Sequence, residues 1–121
     1  MFIRYKKNHE KIAMGLLSFM PDLKDIKKLQ TTMKDYESDE SLQLLLWKEE
    51  EIIGVAGLNL SQEGIIKIQH ISVNPSFRAQ GVGKAMVKAI IEQYPDKEVQ
   101  PTDDVAEFFG KCDLPGNETP A

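Results

Sequence analysis

Cysteine is almost absent. Cys112 stands alone in 121 residues, so no internal disulfide can form, and His9 and His70 are the only imidazoles, too few for a metal-ligand set. A lone thiol of this kind reads as a small buried apolar side chain rather than a nucleophile. A basic excess is missing too: Lys and Arg total 15 against 19 Asp and Glu, a net charge of −4, which argues against a nucleic-acid partner. No apolar run approaches a membrane span and the N-terminus has no signal-peptide core, so no membrane partner and a cytoplasmic location are expected. Internal repeats and low-complexity segments are likewise absent. What remains is ordinary for a globular chain, 41% hydrophobic and 28% charged, with length for one core and one domain spanning 1–121.

The informative stretch runs from Ile71 to Lys84, Ile-Ser-Val-Asn-Pro-Ser-Phe-Arg-Ala-Gln-Gly-Val-Gly-Lys. A β-branched run stops at Asn74-Pro75, because proline has no N–H to give a strand ladder. Beyond a short basic loop, Val82, Met86, Val87, Ile90, Ile91 and Tyr94 fall at helical spacing along one face. Strand, glycine loop and helix N-terminus follow one another, and that order makes an anion site. The first N–H groups of a helix lack intrahelical partners and carry the positive end of its dipole. Gly81 and Gly83 let a ligand approach the main chain, and Arg78 adds a planar cation suited to phosphate oxygens. A pyrophosphate fits such a site.

Two phosphate motifs are excluded. A triphosphate-binding loop needs Ser or Thr after Gly-Lys, and here Ala85 follows Gly83-Lys84. The dinucleotide fingerprint needs a third glycine where Met86 stands. The remaining pattern, Arg-x-x-Gly-x-Gly after a strand ending in Val-x-Pro, resembles the acyl-coenzyme A loop of the GCN5-related N-acetyltransferase (GNAT) superfamily. Arg78, Gly81 and Gly83 match it, with Val73 and Pro75 upstream.

The rest of the chain is similar to that fold in element order. Phe2 to Lys6 alternates as a short strand, and Asn8 is a candidate cap for a helix carrying Ile12, Leu16, Leu17 and Met20, stopped by Pro21. Asp22 is expected to cap a second helix with Leu23, Ile26, Leu29, Met33 and Tyr36 inward. A polar linker, Glu37 to Ser41, leads into a three-strand meander: Leu42 to Lys48, Ile52 to Leu60 and Ile65 to Val73. Glu49-Glu50-Glu51 reads as a solvated turn, and Gly54 and Gly57 inside the second strand mark a bend or a close neighbour. Past the glycine-loop helix, Glu98 to Gln100 is placed parallel to the strand ending at Val73, followed by a helix from Asp104 to Lys111 with Val105, Phe108, Phe109 and Cys112 inward. Residues 115–121 read as a frayed tail. The expected class is α+β (a three-layer α/β arrangement): a mixed sheet with an antiparallel meander and one parallel crossover, C-terminally truncated relative to most of the family. An exposed edge at Glu98 to Gln100 suggests a homodimer. The segments Ile-Arg-Tyr-Lys-Lys and Ile-Ala-Met-Gly-Leu-Leu-Ser-Phe-Met-Pro also resemble a small GNAT-like protein encoded in bacterial riboflavin operons.

The resemblance implies an N-acyltransferase that moves an acetyl group from acetyl-CoA to a small amine by direct transfer in a ternary complex. The coenzyme's pyrophosphate would rest on the N–H groups of Gln80, Gly81, Val82, Gly83 and Lys84 beside Arg78. The main chain around Ile71 and Val73 would pair with the pantetheine arm and polarise the thioester carbonyl. Phe19, Met20, Met33 and Tyr36 become secondary acceptor contacts by the same analogy. Among side chains on the strand before the loop, Gln69 cannot take a proton and His70 can, although a lone strand histidine is more often packed or hydrogen-bonded. Thr102 and Phe109 align with positions where the family often carries an Asn and a proton-donating Tyr. Phenylalanine donates no proton, which implies a slow enzyme, with Ser72 or water as substitute acids. The alternative is a coenzyme A-binding homologue without turnover, regulatory or scaffolding in role.

Overall fold

The structure, a computed structural model, describes residues 1–77, 80–102 and 105–106. Five strands form one sheet in the order β1-β2-β3-β4-β5, where β1 is Phe2–Arg4, β2 Leu42–Lys48, β3 Ile52–Asn59, β4 Ile65–Val73 and β5 Glu98–Pro101. Every neighbouring pair is antiparallel except β4 and β5. Their parallel pairing needs a crossover, supplied by helix α3, Val82–Gln93. Helices α1, Glu10–Leu17, and α2, Ile26–Ser38, precede the meander.

Side chains three apart on a strand point to opposite faces, and β3 uses this twice. A Cβ on Gly57 would meet Tyr36 of α2, while one on Gly54 would meet Met86 of α3. The sheet is therefore sandwiched, with α2 on one side and α3 on the other. Leu17, Leu46, Val55, Leu58, Ile66, Ile68, Met86 and Ile90 are almost wholly removed from water and form the core of both layers. Among the described residues β1 and β5 are the two edges, where the sequence placed an edge at Glu98 to Gln100.

Several local expectations change. Asn8 lies in a 3₁₀ turn, Lys7–His9, and α1 begins at Glu10. Asp25, not Asp22, caps α2, accepting a hydrogen bond from Lys27 N–H at 3.0 Å. Asp22 belongs instead to a 3₁₀ turn, Pro21–Leu23, that joins the two helices. Ile26 faces water, because the buried face of α2 is set by Leu29, Met33 and Tyr36 one turn and more further on. Met20 and Met33 are buried in the core cluster, whereas Phe19 is exposed. Val105 is buried as expected. Arg78, Phe108, Phe109 and Cys112 lie outside the described residues.

Candidate functional site

β4 ends where Asn74 turns the chain. Asn74 N–H donates to Ile53 O at 2.8 Å, its side-chain oxygen accepts from Ser76 N–H at 2.9 Å, and its carbonyl accepts from Phe77 N–H at 2.8 Å. These bonds close a 3₁₀ turn over Pro75–Phe77. Gly81 then takes the N-cap position of α3 with φ +76° and ψ 11°, a left-handed conformation that only glycine holds without strain, and its carbonyl accepts from Ala85 N–H at 3.0 Å. Gly81 has no side chain with which to cap this helix, and no acid lies in its first turn. The N–H groups of Val82, Gly83 and Lys84 have no intrahelical acceptor, and the positive end of the helix dipole gathers there. Val82 is buried and anchors the turn, while Gln80, Gly81 and Lys84 are exposed.

The strand leading to this turn parts from its neighbour. β4 pairs with β5 from Ile65 to Ile68, and β4 then runs on to Val73. Thr102 closes the paired section: its N–H donates to Ile68 O at 3.0 Å and its hydroxyl reaches the same oxygen at 3.4 Å. On the other side of β4 the register slips, with Gly57 opposite His70 but Leu58 opposite Ile68. Gln69 is therefore an extra, bulged residue, and bulges bend a strand and re-aim its side chains. After the bulge Ile71 and Val73 are buried among apolar groups, and His70 and Ser72 point to the α2 side.

His70, 8% exposed, sits in a polar cluster that includes residues far apart in sequence. The Tyr36 hydroxyl is 2.6 Å from its Nδ1, and the two rings meet edge to face. Gln69 Nε2 donates to the Tyr36 hydroxyl at 3.0 Å, and Gln69 Oε1 accepts from Asn59 Nδ2 at 3.4 Å. On the far side of the imidazole, Nε2 lies 3.9 Å from Asp22 Oδ2. Burial pushes the Tyr36 phenol above its ordinary value, so it stays a neutral hydroxyl at physiological pH. Two buried oxygens, Asp22 Oδ1 and Ser72 Oγ, have no hydrogen-bond partner among the described residues. Each such atom costs on the order of 1–3 kcal/mol, a cost proteins retain where a group has other work.

The sequence placed His70 on this strand and left Tyr36 as a core residue or secondary contact. It missed the cluster because Asp22, Tyr36 and His70 meet only through tertiary packing. Gly57 was the available signal: a glycine inside a strand pointed to a close neighbour, and that neighbour is the Tyr36 ring, whose oxygen lies 1.8 Å from where a Cβ would sit. A second polar group, Tyr5 with Glu37 at 2.7 Å and Lys7 with Glu37 and Glu10, ties the end of β1 to both helices. The Tyr5 hydroxyl bond and then Lys7 hold the Glu37 carboxyl below its usual range, and these groups are too exposed to make a ligand site by themselves.

Comparison with known proteins agrees with this architecture. The chain is 61% identical over 115 residues, 94% of its length and 96% of the relative's, to an uncharacterized N-acetyltransferase in the lysA 3′ region of Bacillus methanolicus. Among solved structures, the aminoglycoside antibiotic 6′-N-acetyltransferase AAC(6′)-IG from Acinetobacter haemolyticus, in its apo form, superposes with a TM-score of 0.72 at 15% identity, covering 100% of this chain and 93% of that one. AAC(6′)-Iy, in complex with the bisubstrate analogue CoA-S-monomethyl-acetylneamine, superposes with a TM-score of 0.71 at 16% identity over 92% of this chain and 84% of that one. At these identities the two structures speak for the fold alone. Residues 8–109 match the model of the acetyltransferase (GNAT) family, and with the Bacillus methanolicus relative this settles the assignment: the chain belongs to the GNAT acetyltransferase family.

Proposed function

We propose that this protein is an acyl-CoA-dependent N-acyltransferase that transfers an acetyl group from acetyl-CoA to a small amine within a ternary complex. The observation that carries the reading is one continuous arrangement. β4 leaves β5 after Ile68 and is followed in sequence by an α3 N-terminus with a left-handed glycine at the cap and no acid in the first turn. That terminus fits a diphosphate, since the N–H groups of Gly81 through Lys84 supply donors, Gln80 borders them, and Arg78 in the same loop supplies a cation. The β4 main chain around Ile71 and Val73 would lie along the pantetheine arm and polarise the carbonyl oxygen as charge develops on it.

Acetyl-CoA supplies the activated thioester when bound. The chain's part is to hold it against the amine, which converts a bimolecular encounter into a positioned one. Protons are handled by the polar cluster around His70, with Ser72 two residues along the same face. A thiol of ordinary pKa, about 8.5, leaves as thiolate without a dedicated acid, so Phe109 in place of a tyrosine slows the reaction rather than preventing it.

The second reading, a coenzyme A-binding protein without turnover, is favoured by Phe109 at the position where the family often carries a tyrosine. Thiol release followed with DTNB, using acetyl-CoA and a panel of primary amines such as cadaverine, tyramine and kanamycin, separates the two. The transferase reading expects amine-dependent release, and coenzyme A binding without release would contradict it. A cytoplasmic setting, where acyl-CoA is available, belongs to the same proposal. A link to riboflavin metabolism is supported only by the likeness of two N-terminal segments. A homodimer through β5 is also proposed, since it is an edge strand among the described residues and edges invite pairing. Light scattering that finds a monomer at high concentration would rule it out.

A further inference from the structure

The hydrogen bonds around His70 have a direction. Asn59 Nδ2 donates to Gln69 Oε1, which fixes the Gln69 amide with its NH₂ toward Tyr36, and Gln69 Nε2 donates to the Tyr36 oxygen. The phenol then has its own proton to place, and the acceptor beside it is His70 Nδ1 at 2.6 Å. A neutral imidazole whose Nδ1 accepts carries its proton on Nε2. That Nε2–H faces Asp22 Oδ2 at 3.9 Å. Hydrogen bonds thus run from Asn59 through Gln69 and Tyr36 to His70, and the Asp22 carboxylate stands beyond the far imidazole nitrogen at ion-pair rather than hydrogen-bond distance.

We propose that Asp22, beside the end of this hydrogen-bond chain, receives the proton of the acceptor amine, and that His70 and Tyr36 are positioning residues for it. The assignment rests on the acyltransferase reading above. In its resting tautomer His70 presents an N–H toward Asp22 rather than a lone pair, so it cannot itself collect a proton on that side. Asp22 can. Its Oδ1 has no donor among the described residues, and its side chain keeps 23% of its surface, none of it on Oδ1. It projects from the connection between α1 and α2 to the imidazole of the first residue past the β4 bulge, next in sequence to Ile71. In the step, the amine nitrogen bonds to the thioester carbon and the C–S electron pair leaves on sulfur. One N–H proton passes to the Asp22 carboxylate, and the thiolate takes its proton from water. A carboxylate suffices because the N–H becomes acidic once the C–N bond has begun to form.

The test combines kinetics with a tautomer measurement on the whole chain, using acetyl-CoA and the best amine of the panel. Asp22→Asn is expected to lower kcat about a hundredfold or more with the KM for acetyl-CoA unchanged. In Asp22→Ala, added formate is expected to restore part of kcat, which loss of a merely structural carboxylate would not show. Activity of Asp22→Asn within about threefold of wild type, or no formate rescue in a folded Asp22→Ala, overturns the assignment. Two-bond ¹H–¹⁵N correlation on the wild type is expected to find neutral His70 protonated at Nε2. Protonation at Nδ1 overturns the assignment whether or not the variants fold. A wild type that releases no thiol with any amine removes the acyltransferase reading and this assignment together. An active wild type with an active Asp22→Asn removes this assignment alone.

Discussion

Replacing Gly83 with glutamate is expected to abolish coenzyme A binding while leaving the fold intact or slightly firmer. Position 83 lies in the first turn of α3, where no acid occurs. A carboxylate there favours the helix dipole by about 0.3–1 kcal/mol, and replacing a helical glycine adds roughly 0.5 kcal/mol or more. For a bound diphosphate the sign reverses. The same carboxylate occupies the anion's approach, and like charges brought together cost several kcal/mol, which weakens binding by about a hundredfold or more. Calorimetric titration with coenzyme A beside a thermal melt checks both halves. A variant that melts at or above the wild-type temperature and binds coenzyme A as well as wild type would show that the phosphates lie elsewhere.

Gly57→Ala is expected to be the most disruptive single methyl addition in the sheet. Its Cβ would stand 1.8 Å from the Tyr36 oxygen and 2.5 Å from Cζ, so a rigid ring packed between α2 and β3 has to move. Overpacking of this kind costs roughly 1–3 kcal/mol, and the shift breaks the bond to His70 Nδ1. Tyr36→Phe removes the oxygen and leaves His70 and Gln69 short of a partner, at roughly 1–3 kcal/mol. In the double variant the worst clash is gone and the hydrogen bonds are already lost, so the two costs should fall well short of their sum. Urea denaturation of the four proteins measures this, and additivity within about 0.5 kcal/mol would mean that Tyr36 and Gly57 do not share one packing site. Gly54→Ala is the control. Its Cβ meets the flexible thioether of Met86, with the sulfur at 2.8 Å, and that side chain can turn aside at lower cost.

The sequence was most legible where chain chemistry forces a stop. Gly64 and Asn74-Pro75 bracket β4, and the strand expected from Ile65 to Val73 is the strand observed. Periodicity found α3, and the parallel placement of Glu98 to Gln100 followed from having a helix between two strands. Capping was less legible. Asp22 and Asp25 stand one turn apart ahead of the same apolar stripe, and which of them starts α2 depends on the 3₁₀ turn that Pro21 opens. Freed from capping, Asp22 is available to face His70.

The candidate site divides in the same way. The end proposed for the phosphates consists of consecutive residues, Gln80 to Lys84, and glycine spacing announces it. The end proposed to handle protons joins Asp22, Tyr36, Gln69 and His70 across three elements and a bulge. Nothing in a linear pattern carries a pairing 34 residues apart, as Tyr36 and His70 are. Bulges arise from how two strands close against each other, so Gln69 could be identified as the extra residue only once β3 and β4 were seen together.

The main chain at the start of α3 is proposed to cradle the diphosphate of an acyl carrier. Titrating ¹⁵N-labelled protein with coenzyme A tests it most directly, because each amide reports its own environment. The largest shifts are expected at Gln80 to Lys84, with a second group at Ile71 to Val73 where β4 has parted from β5. Shifts confined to β1 and α2, or none at millimolar coenzyme A, would contradict the account.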